Sequence, residues 1–204
     1  MGKFRFSILI SGVCLSATIA IAAGDEATTE GPPTKIITKC QSCHGLGGDS
    51  VSATVPRLNG QEAAYIVGRL NNFLDPTHED PHAMKSMWGV VSEIDNSSFA
   101  SLAAYYSRQL PTQSEGHGAQ AQIGRKIYTG GARAEGVPAC KTCHGTHAEG
   151  SGAIPRLAGQ HALYLKNQLE RLSFALRESD TMHPNLYRIT DNQINALVAY
   201  LANN

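Results

Sequence analysis

Two segments of this chain repeat one another. Cys40-Gln41-Ser42-Cys43-His44 returns 100 positions later as Cys140-Lys141-Thr142-Cys143-His144. Val55-Pro56-Arg57-Leu58-Asn59-Gly60-Gln61 returns as Ile154-Pro155-Arg156-Leu157-Ala158-Gly159-Gln160, and Tyr65 is matched by Tyr164. A repeat of this length describes two similar units, each of which must bury its own apolar face. Ile66, Leu70 and Phe73 match Leu165, Leu169 and Leu172, and their spacing puts each set on one face of a helix. A second stripe, Phe99, Leu102, Ala103 and Tyr106, is repeated by Ile194, Leu197, Val198 and Leu201. Thr190-Asp191-Asn192-Gln193 reads as a capping box opening that last helix. The expected fold is all-α, with two tandem units. Pro111 to Gly118 joins helix breakers to polar residues without an apolar stripe, so residues 112–118 are read as a linker between units at 24–111 and 119–204.

Cys-X-X-Cys-His is the pattern of covalent haem attachment. Two thiols add across the haem vinyl groups, and the adjoining histidine lies under the iron as its proximal ligand. Four of the five cysteines fall in the two motifs, so two c-type haems are expected, held by Cys40, Cys43, Cys140 and Cys143, with His44 and His144 on the irons. A structural zinc site brings its two cysteine pairs within about 15 to 20 residues of each other, and here they are 100 apart. A dithiol redox site would sit once, beside a strand and helix that the sequence does not show. Each unit has fewer than about 100 residues and a modest apolar complement, so a haem would supply the missing core bulk.

Haem attachment of this type belongs outside the cytosol, and the N-terminus is consistent with that. Lys3 and Arg5 precede a mostly apolar stretch from Phe6 to Ala23, and Ala20, Ala22 and Ala23 offer small residues for cleavage. Residues 1–23 are read as a secretory signal removed on export to the periplasm. An uncleaved membrane anchor is the alternative, and Ser7, Ser11, Ser16 and Thr18 argue against it. Cys14 would leave with the signal, and Val13 stands where a lipoprotein site wants a small residue. The 17 basic residues, less Lys3 and Arg5, leave 15 against 17 acidic ones. This near balance gives no sign of nucleic-acid binding.

A haem with one histidine needs a sixth ligand or keeps an open site, and that choice separates electron carriers from oxygen or peroxide chemistry. Met182 is the only methionine of the second half, and the repeat places Met87 opposite it in the first. A thioether is soft and neutral, favours ferrous iron and raises the potential. Met84 is the rival in the first half, His82 and His183 stand beside the methionines, and either first-half methionine could serve only to fill core space.

Together, the Gly136-Val137-Pro138-Ala139-Cys140 to Gly145 signature, the Pro-Arg-Leu-X-Gly-Gln segments and the internal repeat resemble the dihaem cytochrome c4 family, over almost the whole exported chain. The resemblance implies two tandem class I cytochrome c domains facing each other across a pseudo-twofold axis, with haem propionates near the interface. It implies axial pairs His44 with Met87 and His144 with Met182. It further implies that the carbonyls of Pro56 and Pro155 accept a hydrogen bond from the proximal imidazoles, and that Tyr65, Tyr164, Arg57 or Arg156 touches a propionate. The two halves are not identical: the stretch before the methionine is four residues longer in the first, and Trp88-Gly89 stands where the second has His183-Pro184. Unequal potentials are therefore expected.

Two six-coordinate haems leave one-electron transfer as the available chemistry, so the chain is expected to be an electron-transfer protein and not an enzyme. The resemblance implies a periplasmic carrier taking electrons from a membrane quinol-oxidising complex to a haem-copper terminal oxidase or another reductase; the near balance of charge argues for small, transient contacts with these partners. A dihaem subunit of a periplasmic dehydrogenase, such as a sulfide-oxidising flavocytochrome, is the second reading. A dihaem peroxidase is the third, and it would require a labile or five-coordinate haem.

Overall fold

The computed structural model describes residues 34–75, 84–113, 118–177 and 182–202, together with Gly2, Pro32 and Ser179; the expected signal segment, Gly2 apart, and His82 lie outside the described residues. Of the expected linker, Thr112, Gln113 and Gly118 are described and residues 114–117 are not.

The architecture is helical, and among the described residues β structure amounts to isolated bridges at Ala132 with Val137 and Ser151 with Ile154. In the first half, α1 (Thr34–His44) carries the first cysteine motif in its last turns, α2 (Ala63–Leu74) follows after a loop, and α3 (Phe99–Ser107) closes the unit. Helix α2 ends at Leu74, two residues before Pro76, where the chain must leave the helical region. A π-helical turn, Met84–Trp88, runs into the short helix Gly89–Val91 before α3.

The second half repeats this order with one difference. Helix α4 (Ala119–Gly130) is separated from the motif helix α5 (Lys141–His144) by a loop containing the 3-10 turn Arg133–Glu135. Helices α6 (Ala162–Ser173), α7 (Met182–Leu186) and α8 (Asp191–Leu201) complete the unit. The expected capping box is present: the Thr190 hydroxyl accepts from Gln193 N–H, and the Gln193 side chain accepts from Thr190 N–H.

Both expected stripes face inward. Ile66, Phe73, Phe99, Leu102, Ala103 and Tyr106 are buried in the first half, as are Leu165, Leu172, Ile194, Leu197, Val198 and Leu201 in the second. The second half has one continuous core, built where α4 crosses α8 so closely that a Cβ on Gly124 would collide with the carbonyl oxygen of Ala196. The first half divides its core in two, one cluster around Phe73, Phe99 and Leu102 and one around Ile66, Ala103 and Tyr106, with Leu70 bordering both.

The halves meet through their Pro-Arg-Leu-X-Gly-Gln segments. Gln61 bonds both backbone groups of Arg156, its Oε1 accepting from N–H at 2.7 Å and its Nε2 donating to the carbonyl at 3.0 Å. Gln160 does the same to Arg57, at 2.9 and 3.0 Å. This exchange is what a pseudo-twofold relation between the halves requires. Around it, the Arg57 guanidinium donates to the Gly159 carbonyl at 2.6 Å, His161 Nε2 donates to the Ser50 carbonyl at 2.8 Å, and Gly152 N–H donates to Glu62 at 2.9 Å. A cleft between Arg57, Gln61, Arg156 and Gln160 leaves about 10 Å³, no more than room for one water molecule.

Candidate haem sites

Each motif is a helical turn followed by a reversal. The last turn of α1 brings Cys40, Cys43 and His44 together, and a glycine with positive φ, Gly45 at 78° and Gly145 at 86°, ends the motif helix in each half. The chain then folds back to set a proline carbonyl against the motif histidine. His44 Nδ1 donates to the Pro56 carbonyl at 2.9 Å, and His144 Nδ1 donates to the Pro155 carbonyl at 3.0 Å.

Both imidazoles are buried, at 6% and 4% exposure. Burial pushes their pKa below the ordinary value of 6.5, with the proline carbonyl bond acting in the opposite direction, so each is held neutral. With Nδ1–H committed to the carbonyl, Nε2 carries the free lone pair, and among the described residues no protein group meets it. A neutral imidazole with its tautomer fixed in this way is a ready iron ligand.

The four motif cysteines are unpaired. Cys40 and Cys140 are half-buried, and Cys43 and Cys143 are exposed. Burial raises the Cys40 thiol and pushes Cys140 up to about 11, so both stay protonated in the polypeptide before attachment. The Tyr106 hydroxyl is buried beside Cys40 with no nitrogen or oxygen partner. In the second half the Tyr128 hydroxyl donates to the Gly145 carbonyl at 2.6 Å and so braces the end of the motif helix. Among the described residues no three His, Cys, Asp or Glu side chains converge as a metal cage would require.

Met87 lies in the π-helical turn and packs, half-buried, against the cluster of Phe73, Phe99 and Leu102. A π-turn inside a helix recurs at functional positions. Met84 opens the same turn, and its side chain lies outside the described ones. Met182 begins α7, with its N–H on the Ser179 hydroxyl at 3.0 Å, and packs half-buried against the second core, which Cys140 also borders. The His183 side chain lies outside the described ones. Arg57, Arg156 and Tyr65 have protein partners: Arg57 Nε reaches Asp49 at 3.0 Å, Arg156 Nε reaches the Ala158 carbonyl at 3.1 Å, and the Tyr65 hydroxyl accepts from Arg177 at 3.1 Å.

The family model described as cytochrome c matches residues 121–204. A cytochrome c-552 from Acidithiobacillus ferridurans is 34% identical over 205 residues, 99% of this chain and 89% of that protein. A cytochrome c4 from Azotobacter vinelandii is 30% identical over 194 residues, 90% of each. The solved cytochrome c4 of Acidithiobacillus ferrooxidans superposes with a TM-score of 0.77 at 33% identity, covering 82% of this chain and 99% of that one. The chain belongs to the dihaem cytochrome c4 family. Two further likenesses have other names. A thiosulfate dehydrogenase electron acceptor from Thiomonas intermedia is 33% identical over 171 residues, 80% of this chain and 77% of that protein. The thiosulfate dehydrogenase TsdBA from Marichromatium purpuratum matches with a TM-score of 0.68 at 29% identity, over 80% of this chain and 36% of that one.

As a member of the cytochrome c4 family the protein is an electron-transfer protein that carries two covalently attached c-type haems. The residues present fit that group: in each half two unpaired cysteines and a buried neutral imidazole with a free Nε2 stand on one motif turn. In the sequence, the glutamines that join the halves, Gln61 and Gln160, stand out only as part of the repeat. Their recurrence at the end of both Pro-Arg-Leu-X-Gly-Gln segments was the signal available.

Proposed function

We propose that the protein is a periplasmic single-electron carrier, exported by its first 23 residues, which takes electrons from a membrane quinol-oxidising complex and delivers them to a terminal oxidase or another reductase. In this reading Cys40 and Cys43 hold the first haem and Cys140 and Cys143 the second, with His44 and Met87 as one axial pair and His144 and Met182 as the other. When bound, the haem supplies reversible one-electron exchange at iron. The observation that carries the reading is the same in both halves: a histidine fixed neutral by a proline carbonyl, and a half-buried methionine bordering the core of the same half. The chain's own groups fix imidazole orientation and basicity through Nδ1–H, offer a neutral thioether to iron, and keep water from the buried side of each site. Near balance of charge suits brief contacts with several partners over one strongly charged dock.

A potentiometric titration of the purified protein, followed in the haem absorption band, tests this. Two well-positive one-electron steps are expected. One strongly negative step would mean a haem without methionine and would bring an enzyme reading forward.

The likeness to thiosulfate dehydrogenase electron acceptors supports a second reading, in which the protein serves as the dihaem electron-accepting partner or subunit of a periplasmic dehydrogenase. It predicts a stable complex on gel filtration of the native periplasmic fraction, whereas the carrier reading predicts elution at the size of the free protein.

A further inference from the structure

The Pro56 carbonyl and the Arg57 N–H belong to one peptide group. Its oxygen accepts from His44 Nδ1 at 2.9 Å, and its N–H donates to Gln160 Oε1, in the other half, at 2.9 Å. The second half mirrors this arrangement. The peptide between Pro155 and Arg156 accepts from His144 Nδ1 at 3.0 Å and donates to Gln61 Oε1 at 2.7 Å. Each motif histidine is therefore one peptide away from a glutamine of the opposite half. Both glutamines are 7% exposed, and each is oriented by a further bond from its Nε2 to the arginine carbonyl.

We propose that Gln61 and Gln160 are crossed positioning residues: each sets the strength of the histidine–proline hydrogen bond in the other half, and with it the reduction potential of the haem held there. The inference rests on the reading above in which His44 and His144 are axial ligands. Donation of the peptide N–H to a glutamine oxygen shifts amide electron density onto the carbonyl, so linked hydrogen bonds strengthen one another. A stronger acceptor draws more on the Nδ1 proton, makes Nε2 more basic and favours ferric iron, which lowers the potential. The cleft between the glutamines and arginines has room for about one water molecule, too little to replace both bonds that each amide makes. Glu62 N–H and His161 N–H also donate to Gln61 and Gln160 Oε1, at 2.9 and 3.0 Å, which holds each acceptor in place.

The test uses the full holoprotein with Gln160→Leu, Gln61→Leu and Gln160→Glu, titrated potentiometrically. Each haem is assigned by nuclear Overhauser contacts, to Tyr106 in the first half and to Tyr128 in the second. Gln160→Leu should raise the potential of the haem attached at Cys40 and Cys43 and weaken the hydrogen bond from His44 Nδ1–H to the Pro56 carbonyl, seen as an upfield move of that proton in the ferrous state. Gln61→Leu should do the same to the other haem and to His144. Gln160→Glu keeps an acceptor, now anionic, and should shift the first haem in the opposite direction, which also covers the case in which the leucine variant does not fold. Shifts that are equal at both haems, confined to the mutated half, or absent while both imidazole Nδ1–H signals persist would overturn the crossed relay alone. A wild-type protein without iron-bound imidazole Nδ1–H signals would overturn the ligand assignment and the relay with it.

Discussion

At the scale of single residues, the sixth ligand decides what each iron can do. Met182→Ala should let carbon monoxide bind at the second haem while both haems stay covalently attached, a change visible in the ferrous spectrum; continued exclusion of the gas would remove Met182 from the iron. Met87→Ala should lower one potential, and Met84→Ala should leave both in place; the reverse would exchange their roles. The cysteines and histidines were legible from sequence because covalent chemistry demands them at fixed spacing. The proline carbonyls came through family likeness, and the structure shows them bonded to Nδ1 of both histidines. Gln61 and Gln160 could be read only as repeated letters, since a side-chain amide that bonds a backbone 95 or 103 positions away takes its meaning from how the halves pack.

At the scale of elements, apolar spacing revealed the helices whose buried faces are large side chains. Helices α2, α3, α6 and α8 show such faces in Phe73, Phe99, Leu172 and Leu197. The capping box of α8 was legible for a local reason, because Thr190 and Gln193 satisfy each other without help from the rest of the fold. Thr190→Ala should therefore cost about 1 kcal/mol, measured by chemical denaturation of the holoprotein. Helix α4 was not legible. Half of its buried face is Ala121 and Gly124, small residues that draw no stripe yet allow α4 to approach the backbone of α8. Gly124→Ala should destabilise the protein by about 1 to 3 kcal/mol, because the added methyl must push two packed helices apart; the same unfolding curves measure it. The π-helical turn at Met84–Trp88 was equally hidden, since nothing in local propensity marks where a helix takes an extra residue per turn.

At the scale of the whole molecule, the two halves are alike in plan and unlike in surroundings. Tyr106 is buried beside Cys40, while the matching place in the second half holds Leu201, and one core is divided where the other is continuous. Two resolved potentials are the expected outcome of the titration. The interface adds a pH dependence. Burial lowers the His161 pKa below 6.5, Arg57 adds to the lowering, and the Ser50 carbonyl and Asp49 oppose it. The unfolded chain then binds this proton at higher pH than the folded one, so the stability associated with neutral His161 is complete above about 6.5 and is lost as pH falls through the folded value. Thermal unfolding midpoints should decline below that pH, and less steeply in His161→Asn.

The exchange of glutamine for arginine backbone across the pseudo-twofold axis has the form of an isologous contact, in which one patch is complementary to a copy of itself. A homodimer of single-haem units could make the same bonds, but only at concentrations above its dissociation constant. Joining the units in one chain replaces that requirement with an effective concentration fixed by the linker, on the order of millimolar. It also releases the two copies from identity, so that one repeat position can be an acid, Glu62, which accepts from Gly152 N–H, and its equivalent a base, His161, which donates to the Ser50 carbonyl.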